Sequence, residues 1–147
     1  MSGEGSGVSQ VPAPTEGAET ASETPYAMLG GEAAVRALVE RFYDLMDLEP
    51  EYAAIRQLHA ADLSQARGKL TLFLSGWLGG PSLYIERYGH PMLRRRHLPF
   101  AIGLRERDQW MACMTQAMVE QGVAEDLRER LREAFFQTAD WMRNRPG

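Results

Sequence analysis

The chain has 147 residues, of which 44% are hydrophobic and 24% are charged, as is typical of one globular domain. Its net charge of −4 comes from the four glutamates of the first 25 residues, so the remainder is neutral and lacks the basic excess of nucleic-acid-binding proteins. A single cysteine, Cys113, excludes an internal disulfide, and no apolar run reaches the roughly 18 residues of a membrane span. We therefore expect a cytoplasmic protein with neither nucleic-acid nor membrane partners.

The first 25 residues are rich in Gly, Ser, Thr, Pro and Glu and contain no aromatic residue. Such a segment buries too little apolar surface to offset the entropy lost on ordering. It also lacks the basic start and apolar centre of a secretory signal, so we do not expect export. We predict a flexible tail over residues 1–25 and one domain over residues 26–147.

Beyond the tail, apolar residues recur at intervals of three and four, which indicates helices and no strands. This pattern, with caps and glycine or proline stops, predicts helices over roughly 32–47, 50–58, 62–78, 83–88, 106–121 and 124–143. The predicted fold class is therefore all-α, with four main helices and short connectors.

The segment YGHPMLRRRHLPF, residues 88–100, is framed by two prolines. Pro91 suits the first position of a helix, and Pro99 disfavours helix at the residue before it, which together predict a helix of about two turns. At about 100° per residue, Leu93 lies only about 40° from His97 around the helix axis. We therefore expect His97 to point inward, over Leu93.

An inward histidine is either a satisfied core residue or a metal ligand. The chain has only three histidines, His59, His90 and His97, and Pro91 breaks the spacing of the last two, so a zinc site is not supported. One inward histidine on a short helix of an all-α chain does suit haem, whose iron takes a single axial histidine in globins.

Other residues agree with a haem pocket. We predict its apolar walls to be Leu70, Phe73, Leu74, Leu93, Phe100, Ile102 and Met114. Lys69, the only lysine, and Arg96 are placed to pair with the two propionates, although Lys69 alone would fit a solvated helix face. Tyr43 and Trp110 could donate hydrogen bonds to a polar ligand, with a core position as the alternative for both. His59 follows a helix end and could be an exposed loop residue.

Three stretches carry a family resemblance: RFYDLM (41–46), LHAADLSQARGKLTLFLSGWLGG (58–80) and LGGPSLYIERYGHPMLRRRHLPFAIGLRERDQWMACM (78–114). Through them the chain resembles the group II truncated haemoglobins of bacteria over about residues 25–143. The pattern GHPxLRxRHxPF followed by RDxW is highly specific, whereas the N-terminal tail lies outside the resemblance.

The resemblance implies a truncated globin-like fold, a two-over-two helical sandwich around haem b (iron protoporphyrin IX). In that fold His97 would be the proximal iron ligand. Tyr43 would be the main distal donor, and Trp110 would donate its indole N–H from the opposite wall. His59 would occupy a third distal position, and a homodimer is implied as well.

The resemblance also implies further haem contacts. Lys69, Arg96 and Tyr84 would hold the propionates. Ala66 falls where classical globins carry a distal histidine, and a small residue there would leave an opening toward the ligand. Phe42 joins the residues expected to contact haem.

Two classes of function follow. The first is a haem protein that holds or transports O2, which it would bind reversibly, like CO or NO, at a five-coordinate iron with a polar distal pocket. The second is a redox enzyme of the NO dioxygenase or peroxidase type, which would use bound O2 or peroxide to oxidise NO or a small reductant, with an external reductase. Peroxide and sulfide are further candidate ligands. A third interpretation is a haem-free helical module whose run Arg94–Arg96 binds acidic partners.

Overall fold

A computed structural model describes residues 24–146 as helices joined by short loops. The helices are α1 (Pro25–Leu29), α2 (Glu32–Leu48), α3 (Ala53–Arg56, after a 3-10 turn over Pro50–Tyr52), α4 (Ser64–Trp77), α5 (Leu83–Tyr88), α6 (Leu93–His97), α7 (Leu104–Glu120) and α8 (Glu125–Trp141). No strand occurs in this part of the chain, and the all-α prediction is confirmed. None of these helices is both long and apolar enough to cross a membrane.

The predicted tail, residues 1–25, lies outside the described residues except for its last two. The Oγ1 of Thr24 accepts a hydrogen bond from the N–H of Ala27 at 3.2 Å, and Thr24 and Pro25 are both buried. Threonine is a favourable N-cap and proline fits the first helical turn, so the domain takes in two residues that we assigned to the tail.

The four long helices pack in two layers. Helix α2 packs against α4 and α7, and α7 packs against α8. Each helix buries one apolar face, and these faces form a single core. On α2 the buried residues are Val35, Leu38, Val39, Phe42, Tyr43, Leu45 and Met46. This arrangement is the predicted two-over-two sandwich, with the burial of apolar surface as its main stabilising contribution.

A glycine pair turns the chain at the end of α4. Gly79 has a φ of 99°, a left-handed conformation that favours glycine. A Cβ on Gly80 would lie 2.5 Å from the ring of Tyr26 on α1, so a side chain there has no room. The N–H of Tyr26 also donates to the carbonyl of Leu78 at 2.9 Å. These contacts fix α1 against the end of α4.

Helix α6 begins two residues later than we predicted. Met92 has a φ of 51°, which is left-handed, so the helix starts at Leu93 and not at Pro91. The N–H of Met92 donates to Nδ1 of His90 at 3.1 Å, an interaction that turns the chain before the helix begins. Helix α6 therefore has only five residues, with His97 as its last.

Candidate functional site

A largely apolar cavity of about 260 Å³ lies among α2, α3, α4, α6, α7 and α8. Six of the seven predicted wall residues line it, namely Leu70, Phe73, Leu74, Leu93, Phe100 and Ile102. The predicted iron ligand and the three predicted distal residues line it as well: His97, Tyr43, His59 and Trp110. The structure therefore brings together, in one cavity, residues that lie more than 60 positions apart in sequence.

Four other residues that we assigned to the haem pocket do not line this cavity. Phe42 and Met114 have no exposed surface, and both belong to the core behind the wall. Tyr84 is buried with its ring centroid 6.2 Å from that of Phe73, which does line the cavity. Ala66 packs against the edge of the core. Phe42, Met114 and Tyr84 therefore support the wall from behind.

Lys69 and Arg96, which with Tyr84 were predicted to hold the propionates, also lie outside the lining. Both side chains are exposed, as expected for long cationic residues at the protein surface. The Nζ of Lys69 lies 5.4 Å from the ring centroid of Tyr88, an exposed residue of α5. Their pairing with propionates stays a prediction.

His97 lines the cavity and has one ring nitrogen that is already held by the protein. Its Nδ1 lies 2.6 Å from the carbonyl oxygen of Leu93, one turn earlier in α6. A carbonyl only accepts hydrogen bonds, so Nδ1 carries the proton and Nε2 has a free lone pair. No group within residues 24–146 forms a hydrogen bond with Nε2. Metal-binding histidines have this arrangement, because a hydrogen bond at the second nitrogen fixes the tautomer and the ring orientation.

Two hydrogen-bond donors of the cavity lining have no acceptor in the described part of the chain. These are the hydroxyl of Tyr43 and the indole N–H of Trp110. Burial raises the pKa of Tyr43 above its ordinary value, so the hydroxyl keeps its proton and can donate. The ring of Trp110 is held between Phe42 and Phe135, with centroid distances of 5.2 Å and 5.4 Å. The ring of Tyr43 packs edge-on against those of Phe42 and His59, with centroid distances of 5.0 Å and 5.6 Å, so packing presets both donors.

His59, the third predicted distal residue, is not a donor toward a ligand in its neutral form. Its Nδ1 lies 2.9 Å from the carbonyl oxygen of Ile55, so Nδ1 is the protonated nitrogen of the neutral ring. Burial lowers the pKa of His59, which favours that neutral form. The Nε2 of neutral His59 can only accept a hydrogen bond. A donor role toward a ligand would require the protonated ring.

We expect His59 to make the protein less stable in mild acid. An unfolded histidine has a pKa of about 6.5, whereas burial lowers the pKa of His59 in the folded protein. Below about pH 6.5 the unfolded chain binds a proton that the folded chain does not, so the free energy of unfolding falls toward the lowered folded pKa. Urea denaturation at about pH 7.5 and about pH 5.5 should show a larger loss for the parent than for His59→Asn, which keeps a donor for Ile55. Equal losses would contradict this prediction.

Two charged residues that the sequence analysis missed also line the cavity, Glu106 and Arg107. Glu106 accepts a hydrogen bond from the N–H of Gly103 at 2.9 Å, and this bond is the main reason that the pKa of Glu106 is lowered. Arg107 donates to Asp140 at 2.8 Å. Both charges thus have partners. They lie four and three residues before Trp110, on the same helical face. This spacing is the sequence signal that could have identified them.

Helix α8 and the residue after it supply a further part of the wall, which the sequence analysis did not assign. The lining residues from this region are Phe135, Thr138, Ala139 and Met142. The ring of Phe135 stacks on that of Trp77, with a centroid distance of 4.7 Å and an interplanar angle of 20°. This stack joins α8 to α4 at the floor of the cavity.

The donor set of the cavity fits haem. Within residues 24–146, no group of three His, Cys, Asp or Glu side chains is placed to hold a metal ion. His97 offers a single nitrogen among apolar walls, which suits a metal that arrives with most of its ligands already in place. Haem iron is such a metal, because the porphyrin supplies four nitrogens and the protein one. The fold and the cavity thus define a small helical haem-binding protein.

Comparison with known proteins agrees with this class. A family model of bacterial-like globins matches residues 24–144. The group 2 truncated hemoglobin YjbI of Bacillus subtilis is 39% identical over 120 residues, which cover 82% of this chain and 88% of that protein. The solved group II 2-on-2 hemoglobin of Agrobacterium tumefaciens is 45% identical with a TM-score of 0.80, covering 88% of this chain and 98% of that one. The truncated oxygen-avid haemoglobin of Bacillus subtilis is 40% identical with a TM-score of 0.74, covering 82% and 99%.

The chain belongs to the bacterial-like globin family, and the resemblance to group II truncated haemoglobins is confirmed. It is a haem-binding globin, and globins of this family bind O2 and other diatomic ligands.

Proposed function

We propose that this chain binds haem b in the cavity, with Nε2 of His97 as the iron ligand, and reversibly binds O2 and other diatomic gases there. The observation that carries the proposal is the 2.6 Å contact of Nδ1 with the Leu93 carbonyl, which leaves Nε2 available to a metal. When bound, haem would supply an iron that binds the imidazole of His97 and a diatomic gas.

Tyr43 and Trp110 would set how long a ligand stays. O2 gains partial negative charge at ferrous iron, and donors that are already oriented stabilise such charge without reorganising. The Tyr43 hydroxyl and the Trp110 indole N–H are both free to donate into the cavity. A hydrogen bond to a charged group contributes about 1.5–3 kcal/mol, so two would slow O2 release strongly. Such retention suits an O2-consuming or O2-sensing role better than transport, and a relative described as oxygen-avid supports it.

A second candidate is redox turnover of peroxide or NO, with an external reductase that supplies the electrons. His59 favours peroxide, because the free lone pair of its Nε2 can accept a proton from that ligand, whereas it cannot donate to O2. Turnover of NO and of peroxide, each with and without a reductase, separates this candidate from simple gas binding.

We expect the purified protein to take up one haem per chain. After reduction its absorption spectrum should be that of a five-coordinate ferrous globin, and exposure to O2 should change the spectrum reversibly. Rapid mixing with CO after O2 exposure measures how slowly O2 leaves. A protein that shows no Soret band after incubation with haemin would support the haem-free module in its place.

A further inference from the structure

The helix that carries His97 lacks the usual means of holding its position. Helix α6 has five residues, of which only Leu93 and His97 turn partly inward, to line the cavity. A helix of that length is not stable alone, and two side chains give it little apolar surface to pack against the other helices. Met92, just before it, has a left-handed backbone that costs energy and persists only where the surroundings impose it. Groups outside the helix must therefore orient it.

Asn144, in the segment that follows α8, contacts this region through both ends of its amide. Its Nδ2 donates to the carbonyl oxygens of His97 at 3.3 Å and Phe100 at 2.8 Å. Its Oδ1 accepts from the N–H of Ile102 at 2.9 Å, and its backbone N–H donates to the Ile102 carbonyl at 2.8 Å. The side chain thus forms hydrogen bonds with the start, the middle and the end of the loop between α6 and α7.

A second connection runs in the opposite direction, from α6 to the same segment. The Nη1 of Arg94 donates to the carbonyl oxygens of Trp141 at 2.6 Å and Arg143 at 2.8 Å. The last carbonyls of a helix lack partners within it, and a cation at this end also interacts favourably with the helix dipole. Arg94 therefore satisfies the end of α8 and ties α6 to it.

We propose that Asn144 is a positioning residue for His97, and that Asn144 and Arg94 together form a latch that sets the orientation of the imidazole in the cavity. The Leu93 carbonyl holds the ring through Nδ1, while Asn144 holds the backbone of the same residue. Rotation of the ring and displacement of the helix are both restrained. The inference rests on the proposed function, because it takes His97 as the iron ligand.

Three substitutions test the latch. Asn144→Ala removes the side-chain amide, and Asn144→Asp keeps an oxygen for the Ile102 N–H but loses the two hydrogens for His97 and Phe100. The matched control is Gln137→Ala, which removes an exposed amide of α8 that, within residues 24–146, hydrogen-bonds to Glu133 of the same helix alone. Arg94→Met breaks the second connection while leaving the loop hydrogen bonds in place, and carries the test if Asn144→Ala fails to fold.

The first measurement is the iron–histidine stretching frequency of the ferrous haem-loaded protein by resonance Raman. It should shift or broaden in Asn144→Ala, Asn144→Asp and Arg94→Met and keep the parent value in Gln137→Ala. The second measurement does not depend on gas binding at the haem. Hydrogen exchange of the Ile102 amide should speed up about 2- to 10-fold in Asn144→Ala, as expected for the loss of one neutral hydrogen bond.

The outcomes separate the two proposals. A parent protein without an iron–histidine band overturns the assignment of His97, and the latch with it. A parent that shows the band, with unchanged frequencies in Asn144→Ala and Arg94→Met, overturns the latch alone. Faster exchange at Ile102 with an unchanged frequency also overturns it, because Asn144 would then support the loop without positioning His97.

Discussion

His97→Gly should abolish the five-coordinate ferrous haem spectrum, and free imidazole should restore it. The Nε2 of His97 is the free ring nitrogen of a cavity-lining residue at the end of α6, so its removal leaves the iron without a protein ligand. Removing even the outer hydrogen-bond partner of a metal ligand weakens binding about 10- to 100-fold, so loss of the ligand itself should weaken haem retention by more than 100-fold. Haem transfer to an acceptor globin measures the loss. The iron–histidine Raman band reports the rescue by imidazole.

His90→Asn is the matched control for that experiment. His90 is also partly buried and lies seven residues before His97, but it does not line the cavity. Its Nδ1 accepts from the N–H of Met92, and the asparagine oxygen can take over that bond. This variant should keep the parent spectrum. If His97→Gly instead retained the parent iron–histidine band, the assignment of the proximal ligand would be wrong.

The periodicity of apolar residues predicted most of the fold. It follows which side chains are buried, and the burial of those side chains stabilises these helices. It placed the long helices within two residues of their observed ends. It failed at the start of α6, where the rule for Pro91 gave a helix from that residue. The actual turn depends on a hydrogen bond from the backbone of Met92 to the side chain of His90, which a pattern of apolar residues does not encode.

Periodicity also does not distinguish a residue that is enclosed in the core from one that lines the cavity. Phe135 and Met114 both lie on apolar faces, yet Phe135 lines the cavity and Met114 is enclosed in the core. Which of the two a residue becomes depends on how the helices cross. Charged residues were missed for a different reason. Glu106 and Arg107 belong to residue types that usually lie in solvent, and hydrogen bonds with Gly103 and Asp140 offset the cost of their position at the cavity.

The contacts of Asn144 illustrate the limit of sequence reasoning most clearly. Its side chain bonds to residues 42 to 47 positions earlier in the chain, and it lies outside every apolar stripe. His97, by contrast, could be found because two prolines and a helical wheel fixed its direction locally. Residues that act through side-chain bonds to distant backbone leave no periodic trace, so the support of α6 became visible only in three dimensions.

Trp110→Phe should speed O2 dissociation. The substitution keeps an aromatic ring between Phe42 and Phe135 and removes the indole N–H, which has no acceptor within residues 24–146. A hydrogen bond to a charged group contributes about 1.5–3 kcal/mol, so the rate should rise roughly 10- to 150-fold if no other donor compensates. Stopped-flow displacement of O2 by CO measures it. Trp141→Phe is the matched control, because Trp141 is a partly buried tryptophan that does not line the cavity.

The Tyr43 hydroxyl is the donor that could compensate, so the decisive measurement is a double-mutant cycle on the O2 dissociation rate with Trp110→Phe and Tyr43→Phe. Because no group of the described chain accepts from that hydroxyl, its removal should cost little folding stability, and a rate change reports the ligand. Strong non-additivity would mean that both donors act on one ligand. CO dissociation serves as the internal control, because CO carries less negative charge and should respond less to either change. If both single variants leave the O2 rate within about twofold of the parent, below the contribution of one hydrogen bond, then Tyr43 and Trp110 only pack the core and the distal-donor mechanism is wrong.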